Sequence, residues 1–214
     1  MGRERRSLGL EHEREWTGRG VSYCSTCDAP LHRGNAVAVV GGGDSAVKGA
    51  ALLTKYARKV YLIYRGAAFA RPEPVNLRRL DGAENLVRVF NTNVVGLKSE
   101  DGLTGIELDR PLDGSPELDV DGIFMELGAD PRVELAEQLG VALTEKNEIA
   151  VDKSMRTSVH GVYAAGDVAD ASGELKQTIT AAAQGALAAT AAYDDVTEHP
   201  NACTWHLAKA QKVA

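Results

Sequence analysis

The segment of residues 35–64 constrains the fold more than any other part of this 214-residue sequence. Residues 35–40 form a short, nearly continuous apolar run, typical of a strand buried on both faces of a parallel sheet. A glycine-rich loop, 41–46, follows at once, and residues 47–57 carry apolar side chains at helical spacing. Residues 59–64 are a second run rich in β-formers. The segment therefore predicts a βαβ unit of about 30 residues.

The loop reads Gly-x-Gly-x-x-Ala, with Gly41, Gly43 and Ala46 at the defined positions. Between a strand and a helix this pattern indicates dinucleotide binding, because glycine lets the backbone approach a pyrophosphate closely. The free N–H groups and partial positive charge of the helix N-terminus suit the same anion, so Asp44 and Ser45 are also candidate cofactor-binding residues. The alternative is a structural turn that binds no ligand.

The end of the second strand bears on which nucleotide is bound. NAD sites usually carry an acidic residue roughly 20 positions after the loop, to bind the ribose 2′-hydroxyl. Here the chain reads Tyr64-Arg65-Gly66, and Arg71 follows nearby. A guanidinium suits a 2′-phosphate, so Arg65 and Arg71 favour NADPH. The alternative is that Arg65 is an ordinary surface residue.

The next segments continue the α/β pattern. Residues 71–80 predict a helix and residues 87–91 a strand, and residues 93–120 alternate short apolar segments with Gly/Asp turns, which predicts antiparallel strands. Residues 121–128 are another buried run. We predict that the chain passes from one domain to the next near residues 122–130.

Beyond this boundary, residues 131–139 predict a short helix, and residues 148–152 and 161–166 predict strands. Residues 176–193 are rich in alanine and predict a long closing helix. No internal repeat is visible.

The sequence has three cysteines, Cys24, Cys27 and Cys203. Two residues separate the first two, which permits a small disulfide ring with a reactive thiolate, and the adjacent Asp28 can exchange a proton with it. We interpret Cys24, Cys27 and Asp28 as a catalytic redox centre. One alternative is a zinc site of three cysteines and one histidine, completed by Cys203 and His206, and another is an inert pair.

Composition excludes several other functions. The net charge of −6 disfavours nonspecific nucleic-acid binding. No apolar run approaches the roughly 20 residues that a membrane span needs, so we expect no membrane insertion. The polar start of the chain does not resemble a secretory signal, and the low, odd cysteine count fits a reducing compartment. We therefore expect a cytoplasmic protein. The redox interpretation of the cysteine pair assigns no residue to a metal.

Four segments in order resemble low-molecular-weight thioredoxin reductases, flavoproteins of the pyridine nucleotide-disulfide oxidoreductase type, over residues 5–195. They are residues 18–28 around the cysteine pair, 41–46, 155–167 ending in Gly166-Asp167, and 176–185. The resemblance implies an α/β fold: a Rossmann-like, three-layer nucleotide-binding domain plus the C-terminal part of a second, FAD-type domain.

The expected domain boundaries follow from this resemblance and the pattern along the chain. Residues 1–19 are a polar lead-in, 20–124 the NAD(P)H-binding domain with the cysteine pair, 125–195 the partial FAD-type domain, and 196–214 an irregular tail.

The resemblance also assigns roles to the redox centre. In that family NADPH reduces FAD, the flavin reduces the disulfide, and the dithiol reduces thioredoxin. Cys27 would be the thiol next to the flavin, Cys24 the one that attacks the protein substrate, and Asp28 the acid/base. Gly41 and its neighbours would bind the NADPH pyrophosphate, and Arg65 the 2′-phosphate.

The same resemblance assigns Gly166, Asp167, Gln177 and Thr178 to the flavin site. Without the resemblance, the favoured interpretation of Asp167, a carboxylate just after a predicted strand, is a helix cap or turn residue. The implied cofactors are FAD and NADPH, and the implied partner is thioredoxin or a similar small dithiol protein.

The sequence departs from the family in ways that affect these expectations. The family has two glycine fingerprints, the first for the FAD adenosine diphosphate, and this sequence has one. We therefore expect a homodimer, or pairing with a chain that supplies the other segment. The 2′-phosphate motif is usually His-Arg-Arg with a further Arg, and Arg65 is the one clear match. An alternative function is a nucleotide-binding or assembly module that has lost its flavin chemistry.

Overall fold

A computed structural model describes residues 2–70, 72–173 and 175–198. The strands are β1 (Arg3–Arg5), β2 (Val21–Ser22), β3 (Ala36–Val40), β4 (Lys59–Tyr64), β5 (Leu86–Phe90), β6 (Val94–Ser99), β7 (Leu103–Leu112), β8 (Ser115–Asp119), β9 (Gly122–Met125) and β10 (Ala129–Pro131). The helices are α1 (Ser25–Asp28), α2 (Asp44–Leu53), α3 (Pro74–Arg78), α4 (Glu134–Gln138) and α5 (Thr178–Glu198), with a 3-10 turn at Ala29–His32. The chain divides into a larger unit, residues 5–128, and a smaller unit, residues 1–4 with 129–214.

The larger unit is built on a parallel sheet with the strand order β2-β9-β3-β4-β5. Strand β9 arrives from late in the unit and pairs with both β2 and β3, so that Ile123 lies beside Val21 on one side and Ala38 on the other. Strands β3 and β4 flank helix α2, as the predicted βαβ unit requires. The predicted Rossmann-like α/β fold is confirmed.

Alternation along β3 separates the layers on its two faces, because successive side chains of a strand point in opposite directions. Val37 and Val39 pack in the cluster that contains helix α2, while Ala38 and Val40 pack in the cluster that contains Ile106 of β7. Strands β6, β7 and β8 form an antiparallel sheet, as residues 93–120 predicted. The three layers are therefore helix, parallel sheet and antiparallel sheet.

Several predicted helices keep their position but change their ends. Helix α2 begins at Asp44, three residues before the predicted start, because the glycine loop itself provides the cap residue Gly43. Helix α3 is shorter than predicted and begins at Pro74, a residue suited to a first turn. Helix α5 continues through Glu198, so residues 196–198 are helical and not part of an irregular tail.

The predicted strands at 148–152 and 161–166 are wrong. These segments make isolated bridges, Ile149 to Ala169 and Arg156 to Tyr163, instead of ladders. Gly161 and Gly166 have φ of +77° and +82°, outside the extended region, and so interrupt the second segment at both ends. Ile149 and Ala164 are nevertheless buried, and Val151 and Val162 pack half-buried against the same core, as the apolar pattern indicated.

The smaller unit has its own apolar core, which is made of Val133, Ala136, Val141, Ile149, Ala164, Val168 and Ala169. Helix α5 is largely exposed: its buried residues are Gln184 and Ala191, while Ile179 and Tyr193 are 78% and 71% exposed. Within the described ranges, no helix combines the length and apolar character needed to cross a membrane.

Phe124 provides a direct test of the sheet core, because it is fully buried on β9, an interior strand of the sheet. We expect Phe124→Ala to lower the free energy of unfolding by about 3–5 kcal/mol, through lost burial and the cavity that remains. Urea unfolding followed by tryptophan fluorescence measures this, since Trp16 is buried in the core of the same unit. The matched control is Leu31→Ala, whose side chain is 77% exposed; an equal loss there would contradict the assignment.

Candidate functional site

The carboxyl ends of the parallel strands meet at one edge of the sheet, and the candidate residues follow them. Cys24 comes two residues after β2, Glu126 directly after β9, Gly41 directly after β3 and Arg65 directly after β4. In open parallel sheets this edge is where ligands bind. The topology therefore gathers the predicted cysteine pair and the predicted nucleotide loop in one unit, at one edge.

Cys24 and Cys27 form a disulfide, with their Cα atoms 5.3 Å apart. Cys24 is the cap residue of helix α1, and its Sγ accepts a hydrogen bond from the backbone N–H of Cys27 at 3.2 Å. Cys27 is exposed and Cys24 is half-buried. This N–H donor is placed to stabilise negative charge on the Cys24 sulfur.

Ser22 ties Asp28 to the cysteine pair. The Ser22 hydroxyl donates to Asp28 Oδ2 at 2.7 Å and accepts from the backbone N–H of Cys24 at 3.1 Å. Ser22 is buried at 4% exposure, so this pair of hydrogen bonds is held in place. Asp28 is thereby fixed beside the turn, as the predicted acid/base role requires. The pattern that singled out Asp28 gave no signal for Ser22.

The buried carboxylate of Glu13 supports the segment that leads to Cys24. Glu13 is 2% exposed and accepts hydrogen bonds from the Tyr23 hydroxyl at 2.6 Å and from the backbone N–H groups of Leu8 and Leu10. Burial, and then the hydrogen bond to Glu13, raise the pKa of Tyr23. Residues 5–19, described above as a lead-in, are thus packed within the larger unit, with Trp16 in its core.

The glycine loop has the close packing that the fingerprint predicts. Gly41 has φ of +150°, and a Cβ there would lie 2.3 Å from the carbonyl oxygen of Glu126. Around Gly43, by contrast, a Cβ would meet nothing within 4 Å. Helix α2 begins directly after this open position, and its first N–H groups, those of Asp44, Ser45 and Ala46, have no partner within the helix.

The carboxylate of Asp44 is occupied by protein partners. It accepts from Lys48 Nζ at 2.6 Å, from Asn76 Nδ2 at 2.7 Å and from the backbone N–H of Glu73 at 3.0 Å. Burial raises the pKa of Asp44, but these donors outweigh burial and the net shift is downward. Asp44 thus anchors helix α3 beside the loop. Ser45 is exposed.

Tyr64 packs against the glycine loop from the next strand. A Cβ on Gly42 would lie 2.3 Å from the Tyr64 ring, and one on Gly66 would lie 2.6 Å from it, so a side chain at either position would displace the ring. Arg65 is exposed, and within the described ranges it makes no hydrogen bond or ion pair. Its guanidinium is available to a ligand. Arg71, the second predicted phosphate ligand, lies outside the described residues.

The remaining candidates lie in the smaller unit. Gly166 donates its N–H to the side-chain oxygen of the buried Gln184 at 2.7 Å. Asp167 is half-buried, and among the residues that the structure describes no donor reaches its carboxylate. Gln177 and Thr178 are exposed at the start of α5, where the Gln177 N–H donates to Thr180 Oγ1 at 3.1 Å.

The zinc alternative depends on residues beyond the described ranges. Cys203 and His206 both lie outside them, and Cys24 and Cys27 are bonded to each other. Among residues 2–70, 72–173 and 175–198, no cluster of three metal-ligating side chains occurs.

Helix α5 is tied to the smaller unit by a polar cluster. Arg156 donates to both carboxylate oxygens of Asp195, at 2.9 and 3.2 Å, and the Tyr163 hydroxyl donates to the same carboxylate. The hydrogen bonds from Arg156 and then from Tyr163 lower the pKa of Asp195 to about 2. Burial and the contact with Asp195 raise the pKa of Tyr163 to about 12.

This cluster predicts a pH dependence. Because the folded pKa of Asp195 is lowered to about 2, its contribution to stability is present above the unfolded pKa of about 4 and is lost as the pH falls through the folded value. We expect Asp195→Asn to lower the urea midpoint of α5 unfolding at pH 6, and the difference from wild type to shrink at pH 2.5. Circular dichroism measures both midpoints.

The control for this measurement is Asp194→Asn, on the same exposed helix. A deficit that is the same at both pH values for Asp195→Asn, or a matching deficit for Asp194→Asn, would contradict the assigned ion pair.

A disulfide and a dinucleotide-type glycine loop at one sheet edge define a nucleotide-linked disulfide oxidoreductase. The sequence pattern of the pyridine nucleotide-disulphide oxidoreductases matches residues 1–185. The chain therefore belongs to the pyridine nucleotide-disulphide oxidoreductase family.

Within that family the chain is similar to thioredoxin reductases, as the sequence predicted. It is 39% identical over 190 residues to the thioredoxin reductase of Mycolicibacterium smegmatis, which covers 88% of this chain and 60% of the relative. It is 36% identical over 210 residues to that of Listeria innocua, covering 97% of this chain and 65% of the relative. The chain thus spans about three fifths of the length of these curated relatives.

Solved structures give the same result. The thioredoxin reductase of Streptococcus pyogenes matches with a TM-score of 0.77 and 30% identity, over 92% of this chain and 64% of that structure. The enzyme of Lactococcus lactis matches with a TM-score of 0.70 and 32% identity, over 92% and 65%.

Proposed function

We propose that this chain carries the dithiol and the nicotinamide-nucleotide site of a thioredoxin-reductase-type enzyme, which reduces the disulfide of thioredoxin or a similar small dithiol protein with NADPH. The observation that carries the proposal is the Cys24–Cys27 disulfide at the same sheet edge as the Gly41 loop. When bound, FAD supplies the two-electron relay between nicotinamide and disulfide.

The dithiol chemistry follows from the contacts around the turn. In the reduced state the Cys27 N–H favours a thiolate at Cys24, which attacks one sulfur of the substrate disulfide and forms a mixed disulfide. Cys27 then attacks Cys24 Sγ, restores the Cys24–Cys27 bond and releases the second substrate thiolate. Asp28, held by Ser22, is in position to carry the proton that the departing thiolate needs.

The nucleotide-binding roles rest on the open side of the glycine loop. Gly41 and Gly43 bring the backbone close, and the N–H groups of Asp44, Ser45 and Ala46 are free to bind a pyrophosphate. The guanidinium of Arg65, which has no partner among the described residues, suits the 2′-phosphate of NADPH, and we assign Arg71 to the same group from the sequence.

The flavin-binding roles rest on the smaller unit. The carboxylate of Asp167 has no donor in the part of the chain that the structure describes, and the side chains of Gln177 and Thr178 are exposed. We assign these groups to ribityl and ring atoms of FAD beside Gly166. We also propose the expected organisation, with a nucleotide-binding domain at 20–124 and FAD-type residues at 125–195. A homodimer, or a complex with a chain carrying a first FAD segment, and a cytoplasmic location belong to the same proposal.

Trapping the mixed disulfide tests the proposed chemistry. Cys27→Ser removes the resolving thiol, so Cys24 should form a stable adduct with oxidised thioredoxin, seen as a shifted band in non-reducing electrophoresis. Cys24→Ser is the matched control and retains Cys203 as a background thiol. Equal adduct from both variants, or none from Cys27→Ser, would refute the assigned roles.

Arg65 tests the choice of nucleotide. Arg65→Gln should weaken NADPH binding about tenfold, because a charge-assisted hydrogen bond to the 2′-phosphate is lost, and should leave NADH binding unchanged. Calorimetric titration with both nucleotides measures this. Arg110→Gln removes the same charge from an exposed position on β7 and should change neither affinity. If NADH binding falls in parallel for Arg65→Gln, the specificity role is wrong.

A further inference from the structure

Glu126 is an acidic residue behind the disulfide that the chemistry above does not use. It follows β9 at the carboxyl edge of the sheet and is half-buried. Its Oε1 accepts hydrogen bonds from the Ser25 hydroxyl and, at 3.4 Å, from the Ser25 backbone N–H. Ser25 is buried, is the first residue of α1 and follows Cys24 directly. The carboxyl group therefore holds the disulfide turn at the peptide bond next to Cys24.

The surroundings of Glu126 are shaped to hold it there. A Cβ on Gly49 of α2 would lie 2.5 Å from Ser25 Oγ and 3.3 Å from Glu126 Oε1, so the absence of a side chain at Gly49 makes room for the contact. The backbone carbonyl of Glu126 packs against Gly41 on its other side. One residue thus contacts both the disulfide turn and the nucleotide loop.

The hydrogen bonds and charges around Glu126 compensate only in part for its burial. Burial raises the pKa of Glu126, and the hydrogen bonds from Ser25 and the charge of Arg5 only partly offset it. Arg5 also donates to the carbonyl oxygen of Tyr23, so its charge is shared. Asp28, on the disulfide turn, is bound to Ser22, and Lys48, on α2, is paired with Asp44. Cys24 and Cys27 are the other titratable groups on the disulfide turn itself.

We propose that Glu126 is a positioning residue for the dithiol, which holds the disulfide turn through Ser25 and repels negative charge on the thiol of Cys24. The inference rests on the proposed function, in which the reduced Cys24 acts as a nucleophile. Once the disulfide has taken up two electrons and two protons, a carboxylate behind Ser25 opposes loss of the proton from Cys24. The Cys24 thiolate therefore forms at a higher pH than it would if the Cys27 N–H acted on it without the carboxylate.

Alkylation of the reduced chain measures this effect without NADPH, FAD or a protein substrate. The rate of iodoacetamide labelling at Cys24 is followed from pH 5 to pH 10, and fragmentation mass spectrometry separates this label from those at Cys27 and Cys203. In Glu126→Gln the amide oxygen still accepts from Ser25 but carries no charge. We expect its labelling profile to move to lower pH by about one unit, with several-fold faster labelling at neutral pH.

Two further variants complete the experiment. Glu126→Met, of similar length and uncharged, should shift the profile in the same direction, and it replaces Glu126→Gln if that variant does not fold. Glu84→Gln removes an exposed carboxylate elsewhere and should leave the profile unchanged. A folded Glu126→Gln or Glu126→Met with the wild-type profile would overturn the inference.

The outcome is separable from that of the proposed function. A shifted profile together with failure to trap thioredoxin on Cys27→Ser would remove the thioredoxin-reducing role and keep the effect of Glu126 on the thiol. An unshifted profile together with successful trapping would remove the effect of Glu126 on the thiol and keep the thioredoxin-reducing role.

Discussion

The insertion of β9 between β2 and β3 is the contact on which the site depends. Strand β9 is separated from β3 by some 80 residues, yet it pairs with β3 and β2 in parallel register and buries Phe124 completely. Because parallel strands end at the same edge, this pairing brings the Cys24–Cys27 turn and the Gly41 loop to either side of Glu126. Without β9, the cysteine pair would have no sheet to join.

The carboxylates around this edge are distinguished by their partners. Asp28 is held by a buried serine, Asp44 by Lys48 and the start of α3, and Glu126 by Ser25. The same functional group thus takes three roles: the proposed proton carrier next to the dithiol, a structural anchor next to the glycine loop, and the proposed charge next to the disulfide turn. Hydrogen-bond donors and burial separate these roles, since each changes the free energy of the ionised form differently.

The sequence predicted those parts of the fold that depend on local pattern. The βαβ unit at 35–64 and the antiparallel strands within 93–120 were recognisable because side-chain periodicity follows backbone geometry. The strands at 148–152 and 161–166 were wrong because a buried apolar run reports burial and cannot report whether a neighbouring strand supplies a ladder. Motif spacing identified Cys24, Cys27 and Asp28, but it gave no indication of Ser22, Glu13 or Glu126.

The sequence by itself therefore determined the class of fold, the cysteine pair and the glycine loop, since each is written in residues close together in the chain. Tertiary structure alone decided which side chains support them. Glu13 and Glu126 gain their roles from contacts with Tyr23 and Ser25, the second across about 100 positions of sequence. The sequence does not show whether an acidic residue is buried. The packing of strands and helices around the carboxylate decides its hydrogen-bond partners and its ionisation.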